Sequence, residues 1–361
     1  MSLIKKRKNT TDKPLIIAGP CSAETEEQML ETASRIDPDF VQIFRAGIWK
    51  PRTKPNSFEG VGEPGLKWLQ KVKRQYGFNT AVEVANAKHV ELALDNEVDV
   101  LWIGARTTVN PFTVQEIADA LSGTEKTIVV KNPVNPDLEL WIGAVERLSA
   151  RNIKNIAAIH RGFSTYKKTK YRNNPQWQIA FDFMNRLPEI PILCDPSHIC
   201  GKRDGIAEVA QLAFNFEYDG LMIETHHNPD CALSDAQQQV SPERLSEILK
   251  GLKVRKSDDE DAIYHANLQR LRGEIDETDQ SILDAISQRM SISAQIGELK
   301  KEHNVAIFQN ERWSQIRNQA IEKGAELGLS EEFIDMLLKA IHQESINHQN
   351  LIMNQRQLSL E

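Results

Sequence analysis

From Leu15 to about Gly251, short apolar and β-branched runs alternate with longer stretches whose apolar positions recur every three or four residues. The short runs are LIIAG from 15, FVQIF from 40, TAVEV from 80, VDVLWI from 98, TIVV from 127, NIAAI from 155, EIPILC from 189 and GLMIE from 220. Between and after them lie TEEQMLETASRI, GLKWLQKVKRQY, AKHVELAL, FTVQEIADAL, LELWIGAVERL, PQWQIAFDFM, GIAEVAQLAF and SPERLSEIL. Continuously apolar runs fit strands buried on both faces, and the longer stretches fit helices with one face inward. Eight strands alternating with eight helices is the count of an α/β fold of the (β/α)8 TIM barrel type.

The pattern changes at residues 253–261, KVRKSDDED, which are charged throughout and read as a linker. This divides the chain into a barrel at 1–252, a linker at 253–261 and an all-α three-helix domain at 262–361. The helices are expected from Ala262 to His303, from Asn310 to Leu327, and from an N-cap at Ser330 to Asn354, with Gly324 and Gly328 marking the second turn. A helix of roughly forty residues is about 60 Å long. About one hundred residues cannot bury such a helix internally, so pairing with a second copy is expected.

Charge and composition narrow the partners. The net charge of −7 repels nucleic acid and anionic lipid, so neither is expected as a partner. An anionic substrate then needs a local cluster of cations. No apolar run approaches the roughly 18 residues of a membrane span. The N-terminal stretch MSLIKKRKNTTDK lacks the apolar core of a signal peptide, and its KKRK reads as a solvated tail. Four unevenly spaced cysteines argue against a disulfide framework and for the reducing cytoplasm.

The strand ends carry chemistry that a purely structural barrel does not need. Cys21 follows the first strand, Arg45 and Lys50 the second, Arg106 the fourth, Lys131 the fifth and Arg161 the sixth; Glu83 lies inside the third. His198 follows the seventh strand, Glu224 ends the eighth, and Asp235 lies in the next loop. Cys21, His198, Glu224 and Asp235 form a mixed soft and hard ligand set that suits a divalent transition metal better than Mg2+ or Ca2+. The cations form an anion receptor sized for two phosphate-bearing substrates.

IIAGPCSAE, the KPRT loop at 50–53, GAR, HRG, DPSH and ETHHNPDCALSDAQQ together resemble the barrel enzymes that make 3-deoxy-D-arabino-heptulosonate 7-phosphate (DAHP synthases), in their compact form, over residues 12–252. The resemblance implies metal ligands at Cys21, His198, Glu224 and Asp235, with Mn2+ ahead of Fe2+, Co2+ or Zn2+. It implies phosphoenolpyruvate binding by Arg45, Lys50, Arg106, Lys131 and Arg161, and binding of the phosphate of erythrose 4-phosphate by Arg52 and Thr53. Lys50 is the candidate proton donor to the nascent alkoxide, and Glu83 a candidate to position water.

In the first helix of the tail, Arg289 interrupts an apolar stripe of Leu268, Leu271, Ile275, Ile282, Ala285, Ile292, Ile296 and Leu299. An unpaired buried charge costs several kcal/mol, so an anion is expected to meet it. Lys300 lies about three turns on, over the same face, whereas Arg272 is about 25 Å away and turned by about 100°, so it reaches the site of a partner chain. Ser345 and Gln349 continue the stripe of the last helix with polar groups. LRGEIDETD, QRM, Lys300, Arg312 and QESINHQ resemble the all-helical chorismate mutases over residues 262–354, three-helix protomers that form an intertwined dimer. The resemblance implies carboxylate binding by Arg272, Arg289 and Arg312, with Lys300 and Gln349 donating to the ether oxygen and Ser345 lining the site. Gln309 and Trp313 stand where that family often has an acid, and weaker mutase activity is expected.

The expectation is therefore a bifunctional enzyme of aromatic biosynthesis, active as a homodimer through its helical domain and inhibited by prephenate or chorismate bound there. The rival is an octulosonate-phosphate type of aldol synthase whose helical tail only dimerises and binds an effector.

Overall fold

Eight parallel strands close into a barrel, in sequence order, in the computed structural model of the chain. They are β1 Leu15–Gly19, β2 Ile43–Ala46, β3 Asn79–Val84, β4 Val100–Ile103, β5 Thr127–Lys131, β6 Ile156–His160, β7 Ile192–Cys194 and β8 Gly220–Glu224. Closure pairs β1 with β8 from Leu15 opposite Gly220 to Gly19 opposite Glu224. The structure describes residues 3–7, 12–50, 58–166, 169–255 and 261–354. The outer layer is α1 Glu26–Arg35, α2 Pro64–Tyr76, α3 Ala87–Asp95, α5 Pro111–Ala120, α6 Leu138–Ala150, α7 Trp177–Arg186, α9 Ile206–Asn215 and α10 Pro242–Gly251. Two one-turn helices that the periodicity does not reveal, α4 Ala105–Thr108 and α8 Pro196–Cys200, follow β4 and β7.

Local chemistry starts these helices where the pattern predicts. Thr25, Asn86, Asn110, Asp137 and Ser241 each accept a hydrogen bond from a first-turn backbone N–H. Inside the barrel Ile17, Ile43, Ala81, Val100, Trp102, Val129, Ala157, Ile159, Leu193 and Met222 fill the lumen, while alternate strand residues pack on the helices. The strand expected from Phe40 begins three residues later. The N–H groups of Phe40 and Val41 both turn back to the carbonyl of Asp37, a bend that the apolar side chains conceal.

The N-terminal segment departs from the expected solvated tail. Ile4 is 2% exposed and joins the lumen cluster, while Lys6 pairs with Asp219 at 3.5 Å and the Arg7 N–H donates to Asp219 Oδ1 at 2.7 Å. Leu3 and Lys5 are the exposed residues of this described run. The hydrophobic residue ahead of the basic run carries the segment inward, and the buried Asp219 carboxylate attracts the charges that follow.

The chain divides into two units, Met1–Asp258 and Asp259–Glu361. Lys253 and Arg255, placed in the linker by composition, hydrogen-bond to Gln211 and Asn215 of α9 and so belong with the barrel. The second unit holds α11 Ala262–Glu302, α12 Asn310–Glu326 and α13 Glu331–Asn354. Asp261 caps α11, and Ser330 caps α13 by accepting from the Phe333 N–H. Gly328, at φ +76°, follows the end of α12, but Gly324 lies within α12 rather than in a turn. A Cβ on Gly324 would come within 2.6 Å of Ile334, so its smallness lets α13 pack close. The apolar stripe of α11 is left open within the chain: Leu271, Ile275 and Ile282 are 47%, 58% and 50% exposed. Among the described residues no helix is long and apolar enough to cross a membrane.

Ile4→Ala should lower the unfolding free energy of the barrel by about 2 kcal/mol or more in urea denaturation. Lys5→Ala, on the outward side, should change it by less than about 0.5 kcal/mol.

Candidate functional site

The parallel strands deliver their C-terminal ends to one rim, and the chemical groups collect there. The Cys21 Sγ and one carboxylate oxygen each of Glu224 and Asp235 lie within 4.8 Å of one another. Cys21 follows β1, Glu224 ends β8, and Asp235 sits at φ +46° ahead of a short 3-10 turn in the loop after β8. His198 is set by α8. Asp195 caps that turn through the His198 N–H, and its Oδ2 lies 2.8 Å from His198 Nδ1 and 2.7 Å from Lys131 Nζ. Nδ1 is thus turned to a carboxylate, and Nε2 faces Glu224 Oε1 at 3.8 Å. The four residues singled out in the sequence therefore converge, three tightly and His198 beside them.

This donor set fits a divalent transition ion. Three potentially anionic groups packed together need a compensating cation, and in the protein alone Lys50 and Arg45 provide it. Lys50 Nζ lies 3.0 Å from both the Cys21 Sγ and the Cys21 carbonyl, and Arg45 Nη1 lies 3.1 Å from Glu224 Oε1. Burial, reinforced by Glu224, pushes the Cys21 thiol up to about 12. Burial also opposes charge on Glu224, but His198, Arg45 and Lys50 hold its carboxyl below the ordinary value. On Asp235 the same opposition is outweighed by Arg172, His198 and Lys50. Glu224 and Asp235 would thus meet a bound divalent cation already ionised, and Cys21 would give up its thiol proton on ligating it.

The cleft beside this cluster is lined by Lys50, Glu83, Arg106, Lys131, Arg161 and Arg172, with His198 and Asp235 at its edge. Arg45 lies beneath it rather than along it, 1% exposed, with its guanidinium 4.8 Å from the Trp102 ring and donating to the Cys21 carbonyl. Arg161 is buried and donates to Asn173; burial lowers its guanidinium to about 10, so desolvated positive charge faces the cleft. Glu83 accepts from the Trp102 indole N–H at 3.3 Å. Arg52 and Thr53 lie outside the described residues.

Two residues went unread in the sequence. Arg172 Nη1 donates to Asp235 Oδ1 at 3.0 Å and to Gln238 Oε1 at 2.7 Å, while Gln238 Nε2 donates to Glu224 Oε2 at 2.7 Å. One guanidinium and one carboxamide thus orient both carboxylates. Arg172 comes from the loop after β6, far from either carboxylate in sequence, and no strand-end rule points to it. The run of three glutamines at 237–239, just after Asp235, was the available signal for Gln238.

In the helical unit a cavity of about 550 Å³ lies among α11, α12 and α13. Arg289, Lys300, Arg312, Ser345 and Gln349 all line it, with Gln309, Trp313 and His342. Arg289 donates to the Ser345 hydroxyl, and Lys300 to the Ile307 carbonyl. Gln349 is 8% exposed, and its Oε1 has no partner among the described residues. Arg272 is exposed on α11 and does not line this cavity.

A closed parallel barrel with its reactive groups gathered at the C-terminal rim defines a (β/α)8 enzyme. Residues 4–258 match the DAHP synthetase I family and residues 271–350 match chorismate mutase type II. The phospho-2-dehydro-3-deoxyheptonate aldolase of Thermotoga maritima is 31% identical over 238 residues, 66% of this chain and 68% of that protein. A 2-dehydro-3-deoxyphosphooctonate aldolase of Geotalea daltonii is 30% identical, over 67% of this chain and 93% of its own, and is the weaker match. The crystal structure of the Thermotoga maritima DAHP synthase superposes with a TM-score of 0.59 at 28% identity, covering 66% of this chain and 68% of that one. The chain belongs to the DAHP synthetase I family and is an enzyme that carries a chorismate mutase type II domain at its C-terminal end.

Removing either orienting group, by Arg172→Ala or Gln238→Ala, should weaken Mn2+ binding to the metal-stripped protein about 10- to 100-fold in a direct titration. The melting temperature of the metal-stripped protein should stay within a few degrees of wild type.

Proposed function

We propose that the barrel condenses phosphoenolpyruvate with erythrose 4-phosphate to give DAHP, and that the helical domain rearranges chorismate to prephenate. The observation that carries the first half is the juxtaposition of the Cys21, Glu224 and Asp235 donor atoms with a cleft walled by Lys50, Arg106, Lys131 and Arg161. Cys21, His198, Glu224 and Asp235 hold the metal, with Mn2+ the ion of choice. When bound, it supplies Lewis acidity toward the aldehyde carbonyl.

The chain's own residues do the rest. Arg106, Lys131 and Arg161 fix the phosphate and carboxylate of phosphoenolpyruvate, and Arg45 sets the charge beneath it. Arg52 and Thr53 receive the phosphate of the aldehyde. C3 of the enol phosphate bonds to the aldehyde carbon, and the developing alkoxide takes a proton from Lys50. Burial works against the charge on Lys50, but Cys21 and Glu224 raise its pKa, so the ammonium is kept until a stronger base appears. Water, oriented by Glu83, adds to C2, and the C2–O bond breaks as inorganic phosphate leaves.

For the helical domain, Arg289, Arg312 and Gln349 surround a cavity of a size suited to one small dicarboxylate. A pericyclic rearrangement needs no nucleophile or cofactor, only fixed donors where negative charge grows, and Lys300 and Gln349 serve the ether oxygen. The exposed apolar stripe of α11 supports an intertwined homodimer in which each chain lends Arg272 to the other's site. The reduced cysteine needed for metal binding supports a cytoplasmic location. Prephenate or chorismate held in the helical domain inhibits the barrel and so links pathway output to input.

Condensation assays with the metal-stripped enzyme should show no turnover, and Mn2+ should restore it. Erythrose 4-phosphate should be preferred over arabinose 5-phosphate by about 100-fold in kcat/KM; an equal or reversed preference rejects this substrate assignment. Arg289→Ala should lower kcat/KM for chorismate by about 100-fold or more, with the condensation rate unchanged in the absence of effector. Deleting residues 257–361 should abolish inhibition by prephenate, and an unchanged effector response rejects the regulatory link.

A further inference from the structure

The cavity among α11, α12 and α13 presents three cations, Arg289, Lys300 and Arg312, and no carboxylate among its described lining residues. Of those residues, His342 alone ordinarily changes charge near neutral pH. Its imidazole lies flat on the Trp313 indole, with ring centroids 4.2 Å apart and planes at 28°, and the Phe308 ring meets it at 6.0 Å and 68°. Aromatic contact holds the ring while leaving its edges open, and neither nitrogen has a hydrogen-bond partner among the described residues.

The charges around this ring all act in one direction. From α11 it faces Arg289 and Lys300, and from α12 Arg312 and the uncharged Trp313. The segment between those helices adds uncharged Phe308 and Gln309. On α13 itself Ser345 and Gln349 are neutral, and Lys339, one turn back, is already paired with Asp335. Burial, then Arg289 and Lys300, lowers the imidazole pKa. In the protein alone the ring is therefore neutral at pH 7. A dicarboxylate entering the cavity offsets those cations and offers the ring an acceptor, which reverses the balance.

We propose that His342 contacts the bound dicarboxylate directly, donating from its ring edge to a carboxylate and taking up a proton from solvent as the ligand binds. This rests on the mutase assignment and deepens it. With Trp313 in place of the acid often found in relatives, the stacked Trp313–His342 pair makes affinity for a dianion dependent on pH. Lys300 and Gln349 are left to serve the rearrangement, so the effect falls on binding more than on the chemical step.

Calorimetric titration of the full chain with prephenate, at pH 6.5 in two buffers of different ionisation enthalpy, reads the proton uptake. Wild type should take up a measurable fraction of one proton per ligand, and His342→Gln, which keeps a neutral donor, should take up none. Wild-type affinity should tighten about three- to tenfold from pH 8 to pH 6, with KM for chorismate following it and kcat nearly flat, while His342→Gln shows no such trend. Trp313→Leu, which removes the stacking partner but no charge, should retain proton uptake with weaker binding. No uptake by wild type, or equal uptake by wild type and His342→Gln, overturns the proposal. Wild type that neither binds prephenate nor consumes chorismate refutes the mutase assignment instead.

Discussion

Everything at the barrel rim depends on keeping a thiol and two carboxylates within 4.8 Å of one another inside a folded protein. Like charges at that distance repel strongly once water is excluded, and a bare cluster of this kind would protonate or push apart. Cationic groups answer the problem from three directions: Arg45 from below, Lys50 across the Cys21 sulfur, and Arg172 over Asp235. The cluster thereby keeps together a donor set that fits a divalent ion. Lys50 and Arg172 also line the cleft beside the cluster, so one set of charges supports the donor groups and gives the cleft its positive lining.

That arrangement explains why so much of the barrel and its rim could be read from the sequence. A parallel barrel sends every strand's C-terminal end to one face, so a polar residue at the end of an apolar run has only one destination. Lys131, Glu224 and Cys21 follow from that rule, as does His198 once Asp195-Pro196 is recognised as the start of a turn. Arg172 and Gln238 do not follow from it, because they are set by loops whose course depends on tertiary packing. Arg45 reached the rim as expected but turned inward, since a carboxylate and an indole face were available beneath it. Ile4 defeated the reading for a related reason. A four-residue basic run dominates local composition, yet a single apolar side chain and a buried Asp219 decide where the segment goes.

The helical unit shows the limit of single-chain reasoning more sharply. Its helix boundaries were legible because Asp261 and Ser330 cap them and Gly328 follows the second helix. Its stability is a different matter. Leu271, Ile275 and Ile282 recur at helical spacing like core residues, but their faces are open within the chain. Hydrophobic periodicity reports that a face is to be covered and not what covers it. The homodimer proposed above would cover the stripe and give Arg272 a site to enter, which a solvent-facing helix would not.

The two sites are built in different electrostatic states. At the barrel rim three of the cations are balanced by internal anions: Lys131 by Asp195, Arg45 by Glu224 and Arg172 by Asp235. Side chains there are oriented before any substrate arrives, and the cost of ordering them falls on folding. In the helical cavity Arg289 and Lys300 find neutral acceptors among the described residues, Ser345 and the Ile307 carbonyl, so their charge is left unbalanced. An unbalanced cage of this kind disfavours any further positive charge, consistent with the lowered pKa of the His342 imidazole. The first design favours a fixed geometry for making a carbon–carbon bond. The second leaves cations unbalanced inside the cavity, and it is this imbalance on which the proposed coupling of His342 protonation to occupancy rests.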